Sequence, residues 1–136
     1  MNWVGLAAAA ATFFGIWFGH VAVRKIEFIS RTIWMPTLIF AGAGLALEAL
    51  SVFSSSPPLS AFLGILGMTV LFDALEFTRQ QNRIKKGHAP ANPNNPRHAA
   101  ILKNFPSATQ LDLLKREPLG RPVSAEEAVE LISNGG

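Results

Sequence analysis

The sequence predicts an all-α membrane protein with three transmembrane helices, N-terminus outside and C-terminus inside, followed by an extended cytoplasmic C-terminal arm with two short helices. Three observations carry that prediction. Hydrophobic residues make up 49% of the chain and charged residues 15%, and the two are segregated: only Arg24, Lys25, Glu27 and Arg31 are charged before Glu48. Apolar residues fill the whole circumference of three stretches, residues 2–23, 32–53 and 59–77. About 20 residues at a rise of ~1.5 Å cross a hydrocarbon core of ~30 Å, so each stretch is long enough to span. Finally, the lysines and arginines flanking these stretches fall in "RKIEFISR" and "TRQQNRIKK", and none falls in "SSSPP". Placing both basic segments in the cytoplasm leaves a single three-span arrangement.

The first stretch carries no formal charge and lacks the basic leading region of a cleaved signal, so it is expected to remain as the first span. Trp3 and Trp34 then fall near opposite interfaces, while Trp17 lies deeper. Pro36 fits the first turn of the second helix, and Pro57–Pro58 a rigid outer turn opening the third. No breaker interrupts the third helix until Gly87, which follows Lys85 and Lys86 as a C-terminal cap does. That helix is expected to leave the membrane and continue into water. The transmembrane region is thus residues 1–86.

Ionisable groups inside the spans are the candidate functional residues. Counting from the span centres at ~1.5 Å per residue puts Asp73 roughly 8 Å, His20 about 10 Å and Glu76 roughly 12 Å to the cytoplasmic side of the midplane. His20 and Arg24 share one face of the first helix, and Asp73 and Glu76 one face of the third. These four residues are expected to form an intramembrane polar layer, either as an interhelical clasp or as a proton-handling or quinone-headgroup site. A clasp with another subunit's helix is a further option. Glu48 lies about 8 Å to the other side of the midplane with no basic residue of this chain at its level. It is expected to be neutral or to meet a partner-supplied group. Gly15 and Gly19, in line with Ala7 and Ala11, offer a flat stripe for close helix approach and are, with Glu48, possible partner contacts.

Beyond the membrane, residues 87–96, "GHAPANPNNP", read as an extended linker with no core of its own. His88 and His98 read as solvated loop histidines. In residues 97–136, Ser107 and Gln110 have capping-box spacing with Pro118 as a stop, and Ser124 and Glu127 repeat the device. Two short helices cannot bury much against each other. Phe105, Leu111, Leu114 and Leu131 are therefore expected to line a docking arm for a peripheral cytoplasmic subunit or the lipid headgroups. The chain has no cysteine, which excludes disulfides, thiolate metal sites and cysteine nucleophiles. No nucleic-acid motif, phosphate-binding loop or catalytic constellation is evident, so neither enzymatic activity, a metal site nor a cofactor is expected.

The opening "MNWVGL", the "GH" closing the first span, "RKIEF", and the run "RQQNRIKKGHAPANPNN" carry a resemblance. Over about residues 1–95 the chain resembles a family of short bacterial integral membrane proteins known as a domain of unknown function, DUF4491-like. The tail from about Arg97 onward departs from that pattern. The resemblance implies a bacterial inner-membrane protein and supplies no activity. With it, the expected function is a non-catalytic accessory or anchoring subunit of a larger complex in that membrane, redox or ion-translocating. The alternatives are a small homo-oligomeric proton or ion conductor, and a minor subunit contributing to a quinone site.

The topology has a direct check. Because the chain has no native cysteine, single cysteines at Ser55 and Ser107 are expected to react with an impermeant reagent from opposite sides of the membrane; labelling of both from one side would exclude three spans.

Overall fold

The computed structural model describes residues 1–112 and 124–134. Five helices and no strand occur among them: α1 (Trp3–Ile29), α2 (Trp34–Phe53), α3 (Pro57–Lys85), α4 (Pro96–Asn104) and α5 (Ala125–Asn134). The first three are long and apolar enough to cross a membrane. The fold is thus all-helical, with three candidate membrane helices and short C-terminal helices. The chain divides into two compact units, Met1–Asn82 and Arg83–Gly136.

Helix ends follow local chemistry. Asn2 caps α1 by accepting the Gly5 N–H through Oδ1 at 3.0 Å. Without glycine or proline to stop it, α1 runs past the expected end of its span, through Arg24 and Lys25, to Ile29. Much of the basic connection is therefore helix. Pro36 is the third residue of α2, and Pro57 and Pro58 open α3; in these first turns the missing N–H would have had no intrahelical acceptor.

In the first unit α3 touches both other helices. Gly15 lies against Thr69 and Gly19 against Asp73, so four residues of advance on α1 match four on α3 and the pair runs parallel. The buried residues of α1, namely Ala11, Gly15, Gly19, Val23 and Glu27, recur every fourth position along that face. Helix α2 runs the other way. Ser51 and Ser60 exchange bonds, each hydroxyl donating to the other's carbonyl oxygen at 2.8 and 3.0 Å. Further along, Glu48 lies over Gly64 and Gly67, Gly44 against Leu71, and Phe40 meets the buried Phe77 edge to face, with ring centroids 5.1 Å apart. Two exchanged bonds satisfy both hydroxyls where lipid offers no partner.

The second unit begins inside α3 and differs from expectation. His88 N–H donates to the Arg83 carbonyl at 2.8 Å and Gly87 N–H to that of Ile84 at 3.0 Å, a Schellman motif with Gly87 at φ 74°. The chain then turns back on itself. Ala89 and Ala91 are buried with Ile84 and Ile101, and Leu102 and Ala108 pack against them. Residues 87–96 are therefore part of a small core, not an extended spacer. Their asparagines make the turns: Asn92 Oδ1 accepts the Asn94 N–H at 3.0 Å, and Asn95 Oδ1 caps α4 by accepting from Arg97 at 3.1 Å. His98 is also a correction. It is fully buried, and its Nδ1 accepts the Asn92 N–H at 2.9 Å.

Ser107 does not begin a helix within the described residues. The segment from Phe105 to Asp112 is irregular, because its backbone groups find other partners: Ala108 N–H bonds the Phe105 carbonyl, Ala91 N–H bonds the Thr109 carbonyl, and Leu111 N–H donates to Thr109 Oγ1. Leu114 and Pro118 lie outside the described residues, as does the side chain of Leu131. The second capping site holds: Ser124 Oγ accepts the Glu127 N–H at 3.1 Å at the start of α5. Phe105 is partly exposed and Leu111 half-buried.

Gly87 is doubly constrained. A Cβ there would collide with the Ser107 carbonyl oxygen, and the positive φ adds about 1–2 kcal/mol for an L-residue. Gly87→Ala is expected to speed amide exchange across residues 83–112 at least tenfold. Gly87→Asn is expected to rescue little, although asparagine tolerates the dihedral, because its Cβ meets the same carbonyl.

Candidate functional site: a polar pocket between α1 and α3

The α1–α3 contact is close because glycine removes the side chains from one wall. A Cβ on Gly15 would sit 3.0 Å from Thr69 Cγ2, and one on Gly19 would fall 2.7 Å from Asp73 Oδ1. Both distances are shorter than ordinary contact, so the two positions accept only glycine without rearrangement. Asp73 is thereby buried to 9% exposure. Gly15 and Gly19 pack against Thr69 and Asp73 of the same chain, so the flat stripe has a partner within the chain.

Beside this contact lies a pocket of about 280 Å³. Ile16 and His20 of α1 form one side; Thr69, Phe72, Asp73, Glu76 and Arg79 of α3 form the other. Three of the four residues predicted to share a polar layer, His20, Asp73 and Glu76, therefore line one space. The fourth, Arg24, is exposed and lies outside it. Arg79 supplies the cation instead, with Nη1 2.6 Å from Glu76 Oε1 on the same helix face. The spacing of three residues was the available clue to that pair. Thr69 satisfies its own hydroxyl by donating to the Ile65 carbonyl at 2.8 Å.

The Asp73 carboxylate opens into the pocket with no hydrogen bond or ion pair to it among the described residues. The pocket thus combines an acceptor, an imidazole and a charged pair on an apolar frame. Such a set can hydrogen-bond a polar headgroup or pass a proton between neighbours. Among the described residues, no three histidine, aspartate or glutamate side chains are grouped to hold a metal.

Two other polar residues were not anticipated as buried. Glu27 is 1% exposed and Gln80 is 6% exposed. The four-residue repeat running from Ala11 through Gly19 and Val23 ends on Glu27 and would have located it. Glu48 is half-buried, its Oε1 within 3.0 Å of where a Cβ on Gly67 would be. It has no ion pair among the described residues.

No curated protein and no solved structure matches this chain. A family match covers residues 2–95, a range that includes α1, α2, α3 and every residue lining the pocket. The chain belongs to the family described as a domain of unknown function, DUF4491.

Proposed function

We propose that the protein is a non-catalytic accessory subunit that anchors a larger complex in the bacterial inner membrane, N-terminus outside and C-terminus in the cytoplasm. The observation that supports this is how little the spans bury against one another: 22%, 11% and 17% of the most apolar window of α1, α2 and α3. Helix α2 is the barest. Leu38, Ile39 and Leu45 are exposed on it, and Gly42 has open space where a Cβ would be. Close helix approach at such a face is how membrane subunits pack without a hydrophobic driving force. Glu48 on the same helix is half-buried over Gly64 and Gly67 of α3, away from this bare face. The segment after Asp112 supplies a second contact, for a peripheral cytoplasmic subunit, with Val129 and Ile132 exposed on α5.

The pocket supports a second reading, in which this subunit contributes Asp73 and His20 to a quinone-headgroup or proton-handling site of the same complex. The two readings separate on one variant. Asp73→Asn keeps the shape and removes only the charge, and no hydrogen bond among the described residues is lost. In an anchoring subunit it is expected to leave both assembly and turnover of the parent complex unchanged within about twofold. Preserved assembly with turnover reduced by tenfold or more would establish the second reading instead.

Purification from the native host in mild detergent tests the proposal as a whole. Stoichiometric recovery with larger proteins is expected; recovery as a homo-oligomer that carries current in liposomes would replace it with a small conductor. Gly19→Ala forces the new methyl onto the Asp73 carboxylate and is expected to cost about 1–3 kcal/mol, read as a lowered melting temperature. Truncation to test the docking arm has to fall after Asp112, since an earlier cut removes Ile101 and His98 from the core of the second unit. The shortened protein is expected to lose the peripheral partner and keep the membrane subunits.

A further inference from the structure

We infer that residues 83–105 form a binding surface for anionic phospholipid headgroups of the membrane that α3 crosses. From Phe77 to Leu111 the chain contains no aspartate or glutamate, while it contains Arg79, Arg83, Lys85, Lys86, Arg97 and Lys103. A run of one sign on a disordered tail would only be a loose polycation. Here the backbone is held by the core of Ile84, Ala89, Ala91 and Ile101, so the cations stand on a folded platform.

The platform has an apolar centre. Lys85 Nζ lies 5.1 Å from the ring centroid of Phe105, which is 38% exposed. Lys86, next to Lys85, and Lys103, two residues before Phe105, are both exposed. An exposed aromatic ring with one lysine against it and a further exposed lysine close in sequence to each partner suits the headgroup layer, where the ring meets the acyl boundary and the ammonium groups meet phosphate. Lys85 is the last residue of α3, eight residues after Phe77 in the sequence. Charge decides the lipid class. Each lysine at a surface rich in anionic lipid contributes about 1 kcal/mol, and zwitterionic headgroups offer no such net attraction.

This inference rests on reading α3 as a membrane span, which incorporation into lipid nanodiscs tests separately. The full chain carrying Ser107→Cys, labelled with an environment-sensitive dye close to Phe105, is compared in phosphatidylcholine nanodiscs and in nanodiscs with about a third phosphatidylglycerol. The dye is expected to report burial only in the anionic discs, and about 0.5 M salt is expected to reverse it. Replacing Lys85, Lys86 and Lys103 by glutamine is expected to weaken that docking equilibrium about 100-fold, from three cations at the figure above. Lys25→Gln, an exposed cation elsewhere in the chain, is expected to leave it unchanged. Equal dye signals in the two lipids, a signal in phosphatidylcholine that salt does not alter, or a response only to added polyglutamate or RNA would each overturn the assignment. Failure to enter nanodiscs would overturn the span and this inference with it.

Discussion

The approach of α1 to α3 at Gly15 and Gly19 is the constraint on which the rest of the first unit depends. Lipid tails are as apolar as leucine, so helices in a membrane are held by close packing and by polar groups that find each other. Removing side chains at two successive turns of α1 brings its backbone onto Thr69 and Asp73. That contact covers a carboxylate that lipid would otherwise reach, and it leaves His20 and Ile16 beside it as one wall of the pocket. The second face of α3 is closed differently. Gly44, Gly64 and Gly67 lie at the crossing with α2, and the exchange between Ser51 and Ser60 fixes its register. One central helix therefore turns Ser60, Gly64, Gly67, Leu71 and Phe77 toward α2, and Thr69 and Asp73 toward α1.

The spans were legible because their signal is compositional and needs no knowledge of partners. The end of α1 was not, because Arg24, Lys25 and Glu27 look like a loop by charge, whereas helix continuation depends only on the absence of a breaker. Depth arithmetic brought His20, Asp73 and Glu76 to one level, and they do line one space. It misplaced the cation, since level says nothing about which face a side chain takes, and Arg79 was already one turn from Glu76 on α3.

After Lys85 the departures from the sequence expectation share one cause. Proline and asparagine read as extension in the sequence, yet asparagine side chains close turns on their own backbone, and Asn92 and Asn95 do so here. Alanine is a weak marker of burial. Ala89 and Ala91 become core only because Ile101, some ten residues away, returns to them. His98 follows the same logic, for a histidine closing a stretch of proline, asparagine and arginine looks solvated until the Asn92 N–H is found on its Nδ1. Local capping chemistry was legible where nothing competed, as at Ser124, and was overridden at Ser107, where the segment pairs elsewhere.

The glycine stripe also bears on the order in which this chain can be built into a bilayer. A nascent chain emerges from its N-terminus, so α1 is in the membrane before α3 is made. The surface that covers Asp73 is therefore present when Asp73 arrives, and the carboxylate need not wait in hydrocarbon for a cover still to be synthesised. Helix α2, made between them, is joined to α3 by residues 54–56 alone and meets it as a hairpin. Chain order thus supplies the cover before the residue it covers: α1, with Gly15 and Gly19, precedes α3, with Asp73.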